Sequence, residues 1–304
     1  MRPRSPLVAT VALFALASLV SCGRQGVPPG SVAALIGDGE HRIAYPVNPD
    51  VTVSGSPALR HARAAHRIVI GVKSDHPFLG FEDPVTGRRF GFDIEIAKMV
   101  AADLGFGPGR ITWKTVSPQG RETAIAKGDV DFYVAAYTIN DERKKHVSFA
   151  GPYYVAGQDL LVRQGEKNIR GPGDLKGRRV CSVTGSTPFH RIEDPAYGAR
   201  VSGHDSYAQC VQDLISGETD AVTSDDTILK GYAAQNGGRL RVLGRPFSRE
   251  PYGVGLTRGD KALRDAVNDA LERHRRNGDW LRAYDATLGR SGAPAPAPPE
   301  VIRY

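Results

Sequence analysis

The sequence predicts an α/β fold built on mostly parallel sheets, and three observations carry that prediction. Short apolar runs that read as buried strands alternate with segments of helical periodicity. The alternation comes in two successive sets, as expected for two units of the same kind. Hydroxyl, acidic and basic side chains gather just after the predicted strands, where ligands of open α/β sheets bind.

The first set opens with Arg67–Val72, Arg-Ile-Val-Ile-Gly-Val, a buried strand. Asp93 is expected as the N-cap of a helix that runs to Leu104 and stops at Gly105. Glu122–Lys127 reads as a short helix ended by Gly128, leading into a strand at Phe132–Ala135. Thr138 and Arg143 follow that strand, and a guanidinium is a fork-shaped receptor for a carboxylate.

The second set opens with a strand at Arg179–Val183, after which Gly185-Ser186-Thr187 begins a new element. Tyr207, Cys210, Val211, Leu214 and Ile215 recur at i, i+3, i+4, i+7 and i+8, the stripe of an amphipathic helix. A strand at Thr219–Thr223 leads to Asp225-Asp226, then a helix spans Thr227–Gln235 and ends near Gly237-Gly238. Strands at Leu240–Leu243 and Tyr252–Thr257 follow. Leu263, Val267, Leu271 and His274 mark a long helix, with Trp280, Leu281 and Tyr284 on another. The tail Ala293–Pro299 alternates Ala and Pro and is expected to be extended and uncovered.

The N-terminus reads as an address. Arg2 and Arg4 precede an apolar run from Leu7 to Val20, a basic region and short hydrophobic core that make an export signal. The run is shorter than the roughly 20 residues a membrane span needs. Leu19-Val20-Ser21-Cys22 closes it and resembles the box of a bacterial lipoprotein, in which Cys22 becomes the lipidated first residue. Ordinary secretion with a chance cysteine is the plain alternative. Residues 23–54, rich in Gly, Pro, Val and Ala, read as a flexible spacer.

Composition narrows the field. The chain has 304 residues, 40% of them hydrophobic, enough for one or two cored domains. Its formal charge of +7 falls to about +5 (7 − 2) once Arg2 and Arg4 leave with the signal. The basic residues are dispersed, so a pI near 9.4 fits an anionic ligand or cell surface and no nucleic-acid partner is expected. With Cys22 assigned to the lipoprotein box, Cys181 and Cys210 remain in an oxidising compartment, where a disulfide between them is expected and two buried thiols are the alternative. Neither has ligand spacing for a metal, and no cofactor is expected.

From about Arg67 to Leu288 the order of segments resembles the extracytoplasmic solute-binding proteins of family 3, the polar amino-acid-binding lipoproteins of ABC importers, in their glutamate branch. The segments are Gly91–Lys98, Thr138–Arg143, Ser148–Tyr154, Asp174–Thr187 and Asp220–Asp226. The resemblance implies a two-lobe periplasmic-binding-protein fold of type II, each lobe a mixed, mostly parallel sheet flanked by helices. Crossovers are expected near Val155–Asp159 and Phe247–Pro251. The domains would be a signal (1–21), a lipidated Cys and spacer (22–54), lobe 1 (55–156 with 251–290), lobe 2 (157–250) and a tail (291–304).

The same resemblance implies a site. Arg143, with Thr138 and the backbone near Ala136, would receive the α-carboxylate of an amino acid; a surface place in the run Arg143-Lys144-Lys145 is the bland alternative. Ser186 and Thr187 would add donors from lobe 2, and Asp225 would hold the α-ammonium while Asp226 caps the next helix. Lys73 and Arg121 match places that receive a side-chain carboxylate, and His76 is the candidate beside them, though a lone histidine is more often structural. Counting Lys73, Arg121 and Arg143 against Asp225 gives the cleft a net +2 (3 − 1). The expected protein is a monomeric, lipid-anchored receptor on the outer face of the cell membrane. It would deliver glutamate, or another acidic amino acid, to ABC permease subunits. A dehydratase of a cyclic amino acid on the same scaffold is the competing reading, but no nucleophile–base constellation for it is visible.

Overall fold

The computed structural model describes residues 43–304. The export signal, Cys22 and residues 23–42 of the expected spacer lie outside them. In chain order the first elements are α1 (Pro57–Ala64), β1 (Ile68–Val72), β2 (Asp75–His76), β3 (Gly80–Glu82), β4 (Arg89–Phe90), α2 (Phe92–Asp103), β5 (Ile111–Thr115), α3 (Arg121–Ala126), β6 (Phe132–Tyr133), α4 (Asp141–Lys144) and β7 (Val147–Ala156). There follow β8 (Gln158–Arg163), β9 (Arg179–Val183), α5 (Thr187–Ile192), β10 (Arg200–His204), α6 (Tyr207–Ser216), β11 (Ala221–Asp225), α7 (Asp226–Gln235) and β12 (Leu240–Val242). The chain closes with β13 (Glu250–Thr257), α8 (Lys261–Arg276) and α9 (Asp279–Ala286).

Two five-stranded mixed sheets make two lobes. Lobe 1 has the order β5-β1-β6-β13-β7, and lobe 2 the order β10-β9-β11-β8-β12. β1 is parallel to both its neighbours, and β9 to both of its own. Both are buried along nearly their whole length, because a central parallel strand is covered on two faces. One strand in each sheet runs against the others, β13 in lobe 1 and β8 in lobe 2. A small antiparallel meander, β2-β3-β4, stands on lobe 1 beside the cleft.

The chain passes between lobes at Gly157, which alone separates β7 from β8, and returns between β12 and β13. A Cβ built on Gly157 would lie 2.6 Å from Ser248 O, so the two passing strands touch there and leave no space for a side chain. The C-terminal helices belong to lobe 1. Trp280 and Tyr284 of α9 stack with Tyr154 of β7, while Phe92 of α2 meets all three edge-on. In lobe 2 a disulfide joins Cys181 of β9 to Cys210 of α6, with Cα atoms 5.5 Å apart.

Several expectations need correction. Residues 43–54 are not spacer: Tyr45 is buried with its hydroxyl donating to Glu95 (2.9 Å), and Asn48 N–H donates to Ala102 O (3.0 Å). Helix α1, absent from the sequence reading, is capped by Ser56, whose Oγ accepts Leu59 N–H and donates to Asp260. Asp93 is not an N-cap. The cap position falls two residues earlier, on Gly91, and Asp93 is buried within the first turn. The strand expected at Thr219–Thr223 sits two residues later and ends at Asp225, which occupies the cap position without a capping bond. Asp226 therefore starts α7, accepting Gly157 N–H and pairing with Lys230.

Ala293–Pro299 is extended and largely exposed, whereas the residues after it are tied down by hydrogen bonds and ion pairs. Strand β7 is an edge of its sheet, and the tail lies along it: Ile302 N–H donates to Gly151 O, and Phe149 N–H to the Tyr304 hydroxyl. Arg303 pairs with Asp269 and Glu272 of α8, fixing the same segment from the other side. Among the described residues no helix is long and apolar enough to cross a membrane.

Candidate functional site

The lobes face each other across a cavity with about 310 Å³ of empty space, part of it open to solvent. Seven of the nine expected residues line it: His76, Arg121, Ala136 and Arg143 from lobe 1, and Ser186, Thr187 and Asp225 from lobe 2. Lys73 and Thr138 are not among its walls.

Arg143 sits on α4, a single turn whose N-terminus is capped by Asn140, so the side chain leaves the strand end at a fixed angle. Its Nη1 donates to Thr138 O at 2.7 Å, and the guanidinium lies 5.1 Å from the centre of the Tyr137 ring. Burial, and then the neighbouring charge of Arg121, push its pKa down to about 10, which leaves it cationic at neutral pH. Arg121 covers the same ring at 4.1 Å and donates across the cleft to Gly185 O at 3.1 Å. The unfavourable place of a cation at the start of α3 is met within the chain, because Glu122 Oε1 accepts from Arg121 Nε at 3.2 Å.

Asp225, at the end of β11, is buried and half satisfied. Its Oδ2 accepts the Tyr252 hydroxyl at 2.7 Å, whereas Oδ1 has no hydrogen-bond partner. Burial, and then the charge of the buried Glu250, push its pKa up to about 8. An acceptor without a donor at a cavity wall is costly, and a ligand cation resolves that cost. His76 is likewise buried with neither ring nitrogen hydrogen-bonded, its ring tilted against Tyr207 of lobe 2 at 5.8 Å. Burial pushes its pKa down to about 4, so the ring is neutral at physiological pH.

The hydroxyls close the gap. Thr187 Oγ1 lies 3.3 Å from Thr138 Oγ1, one from each lobe. Ser186 lines the cavity while its Oγ accepts Phe189 N–H, so it caps α5 at the same time.

Two expectations about individual groups fail. Lys73 is buried, but its Nζ pairs with Asp75 Oδ1 at 3.1 Å and does not reach the cavity wall. With Asp75 and Glu122 included, the charges near the cleft sum to zero (3 − 3) with Asp225 ionised, not +2. Ala136 does line the cavity, in a left-handed conformation (φ 46°). Its N–H, however, donates to Asp93 Oδ2 at 3.0 Å and is not free for a ligand carboxylate. The Tyr153 hydroxyl holds the other oxygen of Asp93 at 2.7 Å, so the pair fixes the end of β6.

Residues the sequence reading missed include Pro118, Tyr207 and Ile228 in the wall and Tyr252 behind Asp225. Tyr207 was visible only as one position of a helical apolar stripe; the Ser206 cap ahead of it was the available sign that it opens the helix. A separate grouping of Cys181, His204 and Asp213 has metal-like spacing, but Cys181 is in the disulfide and offers no thiolate.

Residues 68–290 match the family of bacterial extracellular solute-binding proteins, family 3. The glutamate-binding protein GluB of Corynebacterium efficiens is 40% identical over 232 residues, 73% of this chain and 79% of that protein. The ABC transporter glutamine-binding protein GlnH of Bacillus subtilis is 34% identical over 278 residues, 91% and 94% of the two chains. Among solved structures, an ancestral arginine-binding protein bound to glutamine superposes with a TM-score of 0.69 at 34% identity, covering 74% of this chain and 98% of its own. An ancestral amino acid-binding protein described as a precursor of cyclohexadienyl dehydratase gives 0.69 at 27% identity, covering 77% and 100%.

Proposed function

We propose, from the premise that this chain belongs to the bacterial extracellular solute-binding proteins of family 3, that it captures an acidic amino acid, glutamate first, and delivers it to an ABC-type permease. The observation that carries the reading is the pairing of Arg143 with the unpartnered Oδ1 of Asp225 in one interlobe cavity. These are the two receptors every α-amino acid needs, one for each of its charges. Arg143 and the Thr187 hydroxyl suit the carboxylate, and Asp225 suits the ammonium. Arg121 and the neutral His76 remain for the ligand's side chain. Lobe 1 (55–156 with 251–290) and lobe 2 (157–250) would close on the ligand about Gly157 and the return strand.

Glutamine is the second reading, favoured by the pairing of Glu122 with Arg121, which lowers the positive potential the side-chain pocket offers an acid. The relatives named for glutamate and for glutamine leave both chemistries within the family. Calorimetric titration of the mature protein with all proteinogenic amino acids separates them. Glutamate is expected to bind at least about tenfold tighter than glutamine, roughly 1.4 kcal/mol. Equal binding, or a preference for glutamine, would refute the acidic assignment. Turnover of any of these ligands would instead favour the dehydratase reading. Anchoring through lipidated Cys22 would keep the receptor, a monomer, beside its permease.

A further inference from the structure

The lobes also meet outside the ligand cavity, at a small contact with a distinctive backbone. The loop Asp75–Pro77 of lobe 1 abuts the start of α6 and the middle of α7 in lobe 2. Tyr207 N–H donates to Asp75 Oδ2 at 3.2 Å, and the Tyr232 hydroxyl donates to Asp75 O at 2.5 Å. Lys73, displaced from the role expected of it, neutralises the Asp75 carboxylate from within lobe 1. Next to this, a Cβ built on Gly231 would lie 2.5 Å from Pro77 O and 3.2 Å from Pro77 C.

Gly231 lies in the interior of α7, where glycine weakens a helix relative to alanine. Within lobe 2 nothing demands it, since the atoms nearest the built Cβ all belong to Pro77 across the interface. The need for a bare backbone therefore exists only when the lobes are together. An open crevice lined by Asp75, Phe81, Gln212 and Tyr232 adjoins the contact on one side. Asp75, Pro77, Gly231 and Tyr232 are all absent from the ligand cavity wall.

We propose that Asp75 and Pro77 of lobe 1, with Gly231 and Tyr232 of lobe 2, form an interlobe latch that sets the stability of the closed receptor, and so how long it keeps its ligand, without touching that ligand. The latch rests on the reading of the cleft as an amino-acid site. Its cost and benefit fall on the closed state alone, and apparent affinity scales with the fraction of molecules able to close.

The test is Gly231→Ala in the mature chain, with Tyr232→Phe as a second variant that removes one donor and no volume. Glutamate and glutamine serve as probes, and affinity, dissociation rate and ligand-free melting temperature are measured. Gly231→Ala is expected to weaken binding at least tenfold through faster dissociation, with a ligand-free melting temperature equal to or above the parent's. Tyr232→Phe is expected to speed dissociation severalfold. Parental dissociation rates in both variants would overturn the latch while leaving the ligand site standing. So would lost binding accompanied by a matching fall in ligand-free stability, which would make Gly231 a requirement of the fold. A parent that binds neither probe would overturn the site reading and the latch together.

Discussion

At the scale of single residues, Asp225 makes the sharpest prediction. Its pKa near 8 in the ligand-free cleft lies well above the ordinary carboxylate value of 3.8, so from about pH 4 to pH 8 the native state holds a proton that the unfolded chain does not. Its contribution to stability therefore declines as pH rises through that window. Ligand binding has the opposite sign: an ammonium prefers the ionised carboxylate, so capture expels the proton. Glutamate affinity should rise about tenfold per pH unit up to roughly pH 8 and then level. Titrations at pH 6, 7 and 8 check this, and a flat profile would contradict it. Arg143 and Asp225 entered the reading through the family resemblance, and both line the interlobe cavity. The claims of other residues were not legible in the sequence. Asp93 takes the N–H of Ala136 from 43 positions away, and Asp75, the first residue of the short strand β2, turns back onto Lys73 just before it. Neither pairing has a periodicity to announce it.

At the scale of elements, legibility followed length and capping. Helices α6 and α8 carry apolar stripes and α2, buried almost all round, ends before Gly105; all three were read within a few residues, as was β1 with its unbroken apolar run. The meander, the short α4 and the half-exposed β10 lack such patterns. The Ala-Pro alternation describes Ala293–Pro299, while the docking groups Val301, Ile302, Arg303 and Tyr304 follow it without a pattern of their own. Tyr304 is held at both ends: its hydroxyl accepts Phe149 N–H, and Lys144 and Arg264 each lie 4.8 Å from its ring centre. An exposed strand edge is otherwise open to pairing with other chains. Deleting residues 299–304 should therefore lower stability by about 1–2 kcal/mol, from the lost hydrogen bonds and burial, and increase aggregation. Thermal melts and light scattering read both effects, and an unchanged melt would show the tail to be an idle passenger.

At the scale of the whole molecule, the two-lobe plan was legible because its quoted segments resemble one family in order. The contacts between lobes were not, since Gly231 against Pro77 and Thr138 against Thr187 depend on how the two lobes meet. The anchor also belongs to this scale: Cys22→Ala should move the protein from the membrane fraction to the soluble one, and unchanged partition would remove the lipid from the account. The central claim is that Arg143 and Asp225 hold the two charges of an amino acid between the lobes. Calorimetric titration of Arg143→Ala and Asp225→Ala with glutamate, beside the parent, tests it most directly. Each variant should melt like the parent without ligand yet lose about 3–5 kcal/mol of binding, because a buried ligand charge is left unpaired; near-parental affinity in either would contradict the claim.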